Sequence, residues 1–312
     1  PMTPQEFATH AVKGIKKSFD NGMANMVDQY LDNGIFDVYK TDEVFEIFTS
    51  TEGMTGAKKL ARRETPPLLQ LEEGYSVQIQ ENTFGGAIEV PFEDYKRWQN
   101  DSTLKVDEYL KRQRNELMAT NKQLFLTEAF SFLNNAFATT YYAAPDAAAL
   151  IGTHTWNTPG AATFSNAATK VLSLSAIEDM EEYAGRFALA DGKLLPLDFD
   201  TIVVKKGSAN EREAIKLFAK DINPTHVADI NIYQGTKRII STPYITYANR
   251  NYWFAFDSSK DNPLKIGVGM MPTLQEPIRQ NNEAIRTNCM GIWKQGIVNM
   301  PFAVYGSDGT TS

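Results

Sequence analysis

Apolar residues recur at helical spacing along residues 104–137, and no Gly or Pro in this stretch interrupts a helix. The apolar positions form one narrow stripe in the first half and surround the helix in the second half. We therefore expect a long spine helix that is half exposed at its start and buried at its C-terminal end. Gln113, Asn121 and Glu128 interrupt the heptad that a coiled coil would need. The predicted core positions of the spine are Leu117, Leu124, Phe130 and Leu133.

Before the spine, helical spacing gives way to the alternation that is typical of β-strands. Residues 3–6 form a capping box with Pro4 at the first helical position, which predicts a short amphipathic helix within an N-terminal arm, 1–43. The strands predicted next cover residues 44–48, 75–80 and 87–90. With a turn expected at 82–86, the whole region 44–90 is predicted to be an extended β-hairpin loop.

The stretch 52–67 differs from the strands around it because it is rich in Gly, Pro and basic residues. Such a composition adds little to a core, and the flanking strands would hold it away from the body. The simplest interpretation is a solvated loop. Because a free ribbon is costly to order, we expect a partner subunit to order it instead. The residues predicted for that intersubunit contact are Lys58, Lys59, Arg62 and Arg63.

After the spine, the pattern predicts a helix, a buried strand and a second helix. Ser175 with Glu178 and Ser208 with Glu211 are capping boxes that begin the two helices. The apolar run 201–204 forms the strand between them.

Short alternating runs dominate the second half of the chain, which is typical of antiparallel strands. These runs cover residues 230–233, 238–241, 244–247, 252–256 and 264–268. A closing stretch, 285–305, is also strand-like, with breaks expected at Gly291 and Gly296. Because few helices lie between the strands, we expect an α+β fold with mostly antiparallel strands.

Length and composition are those of a folded chain with a sizeable core. The 312 residues are 42% hydrophobic, the formal charge is −7 and the pI is near 5.2. This acidic balance argues against a surface that wraps nucleic acid. The single cysteine, Cys289, excludes an internal disulfide, and no apolar run is long enough for a membrane span. Because Pro1 precedes Met2, we expect removal of an initiator Met or of a leader.

The sequence contains no catalytic, cofactor-binding or metal-binding constellation. Its three histidines, His10, His154 and His226, lie far apart without ligand-spaced partners. The strand-to-helix junction 203–208 has one Gly and lacks a phosphate-binding motif. Cys289 is better interpreted as a small buried residue than as a nucleophile. We therefore predict no enzyme activity and no cofactor.

Two further groups have both an ordinary and a functional interpretation. Carboxylates at Glu178, Asp179, Glu181 and Glu182 could serve glycoside hydrolysis, but they are more typical of a solvated helix face. Aromatic residues in 244–256 could stack on bases or sugars, but their alternating spacing favours sheet packing.

Several segments, in a fixed order, carry a resemblance to a known family. They are 87–94 after the hairpin, 197–205 around the buried strand, 240–245 and 252–257 as a strand pair, and 284–303 as the closing strand. Together with the arm, the basic-tipped hairpin and the spine helix, this order resembles the major capsid protein of tailed bacteriophages, which has the Hong Kong 97-like fold. The Mu-like head subunit branch is the most similar. The resemblance covers nearly the whole chain.

The resemblance implies an α+β Hong Kong 97-like capsid fold with an N-terminal arm, an extended β-hairpin loop, a peripheral domain and an axial domain. The implied peripheral domain covers 91–195 and 275–306 and contains the spine helix 104–137. The implied axial domain covers 196–274.

The resemblance also implies a function. Many copies of the chain would self-assemble as hexamers and pentamers into an icosahedral or prolate head, which encloses double-stranded DNA without sequence-specific binding. Scaffold, portal and decoration proteins are implied as partners, with no membrane. The implied location is the capsid shell of the virion, assembled in the host cytoplasm. Because no N-terminal scaffolding domain is evident, a separate scaffold or an earlier cleavage is implied.

Some relatives in that family cross-link a loop Lys to an Asn of a neighbour. Lys58 and Lys59 lie in a suitable loop, but no matching Asn and carboxylate are evident, so cross-linking is not expected. Two alternatives stay open. One is a host-encoded nanocompartment shell of the same fold, which would hold a cargo enzyme. The other is a carbohydrate-active or carbohydrate-binding protein built on the aromatic strands.

Overall fold

The chain forms an α+β structure in which helices and strands are unevenly distributed. The computed structural model describes residues 34–55, 70–91, 93, 106–218, 233, 235–275, 278–281 and 284–311. Four helices lie in these ranges: α1 (Val106–Ala129), α2 (Ser131–Asn134), α3 (Leu174–Arg186) and α4 (Ala209–Phe218). Most strand pairs in the same ranges are antiparallel, as predicted from the short alternating runs. Most of the predicted N-terminal arm lies outside the described residues.

The first sheet is built around two long strands of the C-terminal half. It contains β1 (Asp37–Lys40), β4 (Asn82–Val90), β11 (Leu264–Leu274), β12 (Ile278–Arg279) and β13 (Ile285–Ile297). β13 pairs antiparallel with β11 and β12, and also with β4. β1 pairs parallel with β11, so the end of the predicted arm is a sheet strand.

The second sheet has five strands, which come from the middle and the end of the chain. They are β7 (Ala167–Lys170), β8 (Thr201–Lys205), β9 (Arg238–Thr242), β10 (Trp253–Phe256) and β14 (Val304–Thr311), in the order β7-β14-β10-β8-β9. A separate two-stranded hairpin consists of β2 (Phe45–Thr55) and β3 (Gln70–Gln80), and a smaller one of β5 (Thr153–His154) and β6 (Phe164–Ser165).

The second sheet separates two hydrophobic cores. Along β10, Phe254 and Phe256 enter one core and Trp253 and Ala255 enter the other, because successive strand residues point to opposite faces. Helices α3 and α4 cover the second core, while α1, α2 and the first sheet surround the first. A strand that is buried on both faces explains the unbroken apolar runs in β8 and β10.

The spine helix is shorter than predicted. α1 ends at Ala129. Phe130 lies in a turn between the two helices, and α2 is a separate short helix. Leu117, Phe130 and Leu133 are buried in the first core, whereas Leu124 is only partly buried. The two residues that follow Leu124 in α1, Phe125 and Leu126, are fully buried instead.

The turn predicted at 82–86 is wrong, because these residues form the first half of β4. β4 does not pair with β3 but runs antiparallel to β13, with Gly85 opposite Met290. A Cβ atom on Gly85 would lie 2.4 Å from the carbonyl oxygen of Cys289. Phe84 stacks on Trp293 with ring centroids 3.7 Å apart. The glycine therefore permits a close strand approach and does not form a turn.

Three other local predictions differ from the structure. β13 continues through Gly291 and Gly296, where the predicted breaks do not occur. Residues 244–247 form turns and no strand. α3 begins at Leu174, because the Ser173 hydroxyl accepts a hydrogen bond from the amide of Ala176 and replaces the predicted cap at Ser175.

Two strand pairs join segments that are assigned to different predicted domains. β11, assigned to the axial segment 196–274, pairs with β13 of the peripheral segment. β14, whose first residues fall in the peripheral segment 275–306, pairs with β10 of the axial one. The division into a peripheral and an axial domain stays a prediction.

Candidate functional site

The β2–β3 hairpin is the part of the molecule on which the predicted assembly contacts depend. Its strands pair from Phe45 opposite Gln80 to Thr55 opposite Gln70. The predicted loop 52–67 therefore begins later than expected, since β2 continues to Thr55. Lys58, Lys59, Arg62 and Arg63 lie outside the described residues, so their intersubunit role stays a prediction.

At its root, the hairpin is joined to β13 by an ion pair. The ammonium nitrogen of Lys294 lies 2.9 Å from Oε1 of Glu46 and donates to the carbonyl oxygen of Glu43 at 2.6 Å. Tyr39 donates its hydroxyl to Oε2 of Glu46 at 2.5 Å, and Thr41 donates to Oε1. Partial burial opposes ionisation of Glu46, but these hydrogen bonds and the Lys294 charge outweigh it and hold the pKa of Glu46 below its usual value. Tyr39 is partly buried, and desolvation together with the same carboxylate raises the pKa of its hydroxyl.

Close packing beside this ion pair fixes β3 against β13. A Cβ atom on Gly296 would lie 2.3 Å from a methyl carbon of Ile79, which is itself buried. Ile79 thus occupies the space that a side chain at position 296 would need.

Further along β2, the carboxylate of Glu52 is buried against a loop of the body. Oε1 accepts a hydrogen bond from the amide of Asn157 at 2.7 Å. Oε2 accepts from the amide of Thr158 at 2.8 Å and from its hydroxyl at 2.9 Å. Glu52 is only 1% exposed. Sequence reasoning placed this residue in a solvated loop and missed the contact.

One face of the hairpin exposes apolar side chains to solvent. On this face Phe45 and Ile47 are 54% and 62% exposed, and Val44, which precedes β2, is 54% exposed. Gln78 and Gln80 lie opposite Ile47 and Phe45 on the same face. Large exposed apolar side chains grouped on one surface often mark a protein contact.

Two of the candidate chemical residues, His154 and Cys289, are buried in the structure. Buried His154 has Nδ1 3.1 Å from Oδ2 of Asp146 and stacks on Phe164. Cys289 is buried, as predicted. Among the described residues, no three His, Cys, Asp or Glu side chains are grouped as a metal site would require, and no helix is long and apolar enough to cross a membrane. His10 and His226 lie outside those residues.

The carboxylates of α3 and the aromatic residues near β10 are also structural. Lys170 lies 2.6 Å from Asp179, Lys237 lies 2.5 Å from Glu181, and Arg186 pairs with Glu182 at 3.1 Å. Trp253, Phe254 and Phe256 are buried in the cores, whereas Tyr247 is 74% exposed. Three of the four carboxylates, Asp179, Glu181 and Glu182, are therefore each paired with a basic side chain.

Comparison with known proteins supports the fold. The sequence matches no protein-family model and no curated protein. A structure from Mycobacterium phage Patience aligns with a TM-score of 0.51 and 12% identity, over 98% of this chain and 88% of that one. The capsid structure of cyanophage P-SCSP1u aligns with a TM-score of 0.50 and 9% identity, over 88% of this chain and 86% of that one. A virus-like particle from Pyrococcus furiosus aligns with a TM-score of 0.48 and 12% identity, over 95% and 98% of the two chains.

At 9% and 12% identity, the first two alignments establish the fold and nothing finer. The chain has an α+β, Hong Kong 97-like capsid fold, as the resemblance in its sequence implied. Both alignments span most of each chain, so the similarity is not confined to one segment.

Proposed function

We propose that this chain is the major capsid protein of a tailed bacteriophage and self-assembles into its head. The observation that carries the proposal is the whole-chain similarity to the capsid structure of cyanophage P-SCSP1u. The exposed apolar face of the β2–β3 hairpin gives independent support, because a monomer gains nothing from exposing Phe45 and Ile47.

Within this proposal, the first sheet with α1 corresponds to the peripheral domain, and the second sheet with α3 and α4 to the axial domain. Strand pairing supports this division, which differs from the predicted segments 91–195 with 275–306 and 196–274. The loop beyond β2 reaches a neighbouring subunit, where Lys58, Lys59, Arg62 and Arg63 meet acidic groups of a chain whose formal charge is −7.

The finer parts of the proposal concern the assembled particle. Copies form hexamers and pentamers of a shell in the virion, assembled in the host cytoplasm with scaffold, portal and decoration proteins. The shell encloses double-stranded DNA without sequence-specific binding, which is consistent with the acidic balance of the chain. A Mu-like head subunit remains our proposal for the branch.

Light scattering and electron microscopy of the purified full chain test this proposal. We expect rings or closed shells as concentration rises, because the exposed hairpin face becomes buried between copies. A compact monomer at every concentration and salt condition would contradict it. Particles recovered from infected cells should contain DNA, whereas a protein cargo without DNA would indicate a nanocompartment.

A loop replacement tests the role of the hairpin tip. Replacing residues 54–65 with a short Gly-Ser link should leave the circular dichroism spectrum nearly unchanged and prevent closed shells. In a second variant, Lys58, Lys59, Arg62 and Arg63 become Gln. This variant keeps the length of the loop, so it distinguishes the effect of the positive charges from the effect of loop length. Normal closed shells from the shortened chain would refute the loop as an intersubunit clamp.

A further inference from the structure

The β2–β3 hairpin is held to the body at two separate points. The first is its root, where Glu46 pairs with Lys294 and Ile79 packs on Gly296. The second is Glu52, further along β2. An isolated two-stranded hairpin is marginally stable and twists freely, so attachment at the root alone would leave its direction poorly defined. A second attachment fixes that direction.

The second attachment involves both strands of the hairpin. Glu52 of β2 accepts three hydrogen bonds from Asn157 and Thr158. The side-chain amide of Asn157 also donates to the carbonyl oxygens of Glu73 and Gly74 in β3, at 3.3 and 3.4 Å. One turn of the body therefore binds β2 through a charged side chain and β3 through its backbone.

Local distortion of the strand turns Glu52 toward this turn. The pairing of β2 with β3 shifts register between Thr49 and Thr51 and again between Thr51 and Gly53. Such bulges bend a strand and redirect its side chains. Gly74 permits the distortion, because a Cβ atom there would lie 2.3 Å from Oγ of Ser50 and 3.0 Å from Cγ of Glu52.

The burial of Glu52 makes this contact energetically significant. A carboxylate that is 1% exposed is stable only while its oxygens accept hydrogen bonds, and here backbone amides supply two of them. A cavity of about 260 Å³ lies beside it, lined in part by Ser50, Trp156 and Met300. Glu52 is among the residues that line this cavity, and its carboxylate is held by the three hydrogen bonds from Asn157 and Thr158.

We propose that Glu52 is a positioning residue, a latch that fixes the direction in which the hairpin leaves the body and thereby the geometry of contacts between subunits. The second half of this statement rests on the proposed capsid function, whereas the first half does not. The receiving element is the turn at Asn157 and Thr158. A change in hairpin direction alters the angle at which a neighbouring copy is met, and small angles between subunits determine whether a shell closes.

The test compares Glu52→Gln with Glu73→Gln. Glutamine at position 52 keeps one acceptor oxygen, but its amide nitrogen is a donor and would face a donor of Asn157 or Thr158. One side of the latch is therefore lost. Glu73 lies exposed on the same hairpin, and Asn157 contacts only its backbone carbonyl oxygen, so substitution of its side chain removes the same charge and keeps the latch contacts. Thr158→Val is a milder variant that removes only the hydroxyl donor and serves if Glu52→Gln fails to fold.

Hairpin direction is measured in dissociated subunits of the full chain. Spin labels at Gln78→Cys and Leu194→Cys report the distance between hairpin and body, since both positions are exposed and the native Cys289 is buried. We expect a narrow distribution for the parent and Glu73→Gln, and a broadened one for Glu52→Gln. Amide exchange at Asn157 and Thr158 should accelerate at least about tenfold, because a charge-assisted hydrogen bond is lost. An unchanged distribution in Glu52→Gln overturns the latch.

Electron microscopy of assembled material tests the effect on subunit contacts. Glu52→Gln is expected to give open or irregular particles, and Glu73→Gln to give particles like those of the parent. Normal shells from Glu52→Gln with a broadened distribution would overturn the positioning role. If the parent itself never assembles, the proposed capsid function fails, while the distance measurement still decides whether Glu52 fixes the hairpin.

Discussion

The ammonium nitrogen of Lys294 lies 2.9 Å from Oε1 of Glu46, and the lysine side chain is only 1% exposed. The pair joins the central strand of the first sheet, β13, to the root of the β2–β3 hairpin. A buried lysine keeps its charge only when it is paired and its protons are hydrogen-bonded, and here Glu43 supplies a further acceptor.

Removing the carboxylate of this pair should cost more than removing the lysine charge, because Lys294 is 1% exposed whereas Glu46 is 20% exposed. We expect Glu46→Gln to lower the free energy of unfolding by about 3 kcal/mol, because Lys294 is left as an unpaired buried charge. Lys294→Met fills similar volume and leaves Glu46 partly exposed, with its hydrogen bonds from Tyr39 and Thr41, so it should be less destabilising. Urea unfolding of the two variants measures the difference, and a larger loss for Lys294→Met would contradict this reasoning.

The buried carboxylate of Asp146 should make the folded state less stable in acid. Burial opposes ionisation of Asp146, but hydrogen bonds from His154 and from the amides of Thr155 and Ala148 outweigh it and lower the pKa of Asp146. A lowered folded-state pKa contributes stability that is complete above the unfolded value of about 4 and is lost as pH falls through the folded value. The melting temperature of the parent should therefore exceed that of Asp146→Asn at pH 6 by more than at pH 3. An equal difference at both values would show that the charge contributes nothing.

Sequence patterns predicted the buried strands well because their signal is local. The apolar run at 201–204 and the run ending at Phe256 are bounded by polar turn residues, and both strands are buried on two faces. Alternation then decides which core each residue enters, as Trp253 and Phe254 do on opposite faces of the second sheet.

Glycine was the main source of wrong strand boundaries. Gly85, Gly291 and Gly296 were interpreted as turn or break signals, yet each lies inside a strand where another group occupies the space of a side chain. For Gly85 that group is the backbone of Cys289, far away in sequence. A single sequence shows that a glycine is present but not whether the cause is a turn or a close approach.

The attachment of the hairpin could not be predicted for a similar reason. Glu52 and its partner Asn157 are 105 residues apart, and nothing in the local pattern of either residue indicates a contact. Glu52 begins a stretch rich in Gly and basic residues, which favours a solvated interpretation. Only the bulged pairing of β2 with β3 turns its carboxylate toward the body.

The burial of the predicted spine residues indicates which of them stabilise the core. Phe130 and Leu133 are buried at 2% and 0% exposure, so each change to Ala should cost about 3–5 kcal/mol through lost burial and a residual cavity. Leu124, which is only partly buried, should cost clearly less on the same change. Thermal and urea unfolding of the three variants measure this order. Equal losses at all three positions would contradict the described packing.

A glycine in α3 offers a stabilising substitution. A Cβ atom on Gly185 would meet no other atom within 4 Å, and the residue lies in the last turns of the helix. Alanine restricts the unfolded chain and is favoured in helices, so Gly185→Ala should raise the free energy of unfolding by about 0.5–1 kcal/mol. Calorimetry would show this as a higher melting temperature, and a lower one would mean that the helix does not extend through Gly185.

Two adjacent glycines of β4 provide a matched test of the strand pairing that replaced the predicted turn. A Cβ atom on Gly85 would lie 2.4 Å from the carbonyl oxygen of Cys289, whereas one on Gly86 would meet only a methyl of Leu117 at 3.7 Å. Backbone cannot move aside as a flexible side chain can, so Gly85→Ala should separate β4 from β13 and lower the free energy of unfolding by about 2 kcal/mol. Gly86→Ala should be neutral or slightly stabilising. The new methyl group would make an ordinary van der Waals contact, and alanine lowers the conformational entropy of the unfolded chain. Urea unfolding measures both, and equal tolerance of the two substitutions would mean that residues 82–86 form an open turn and not the paired strand described here.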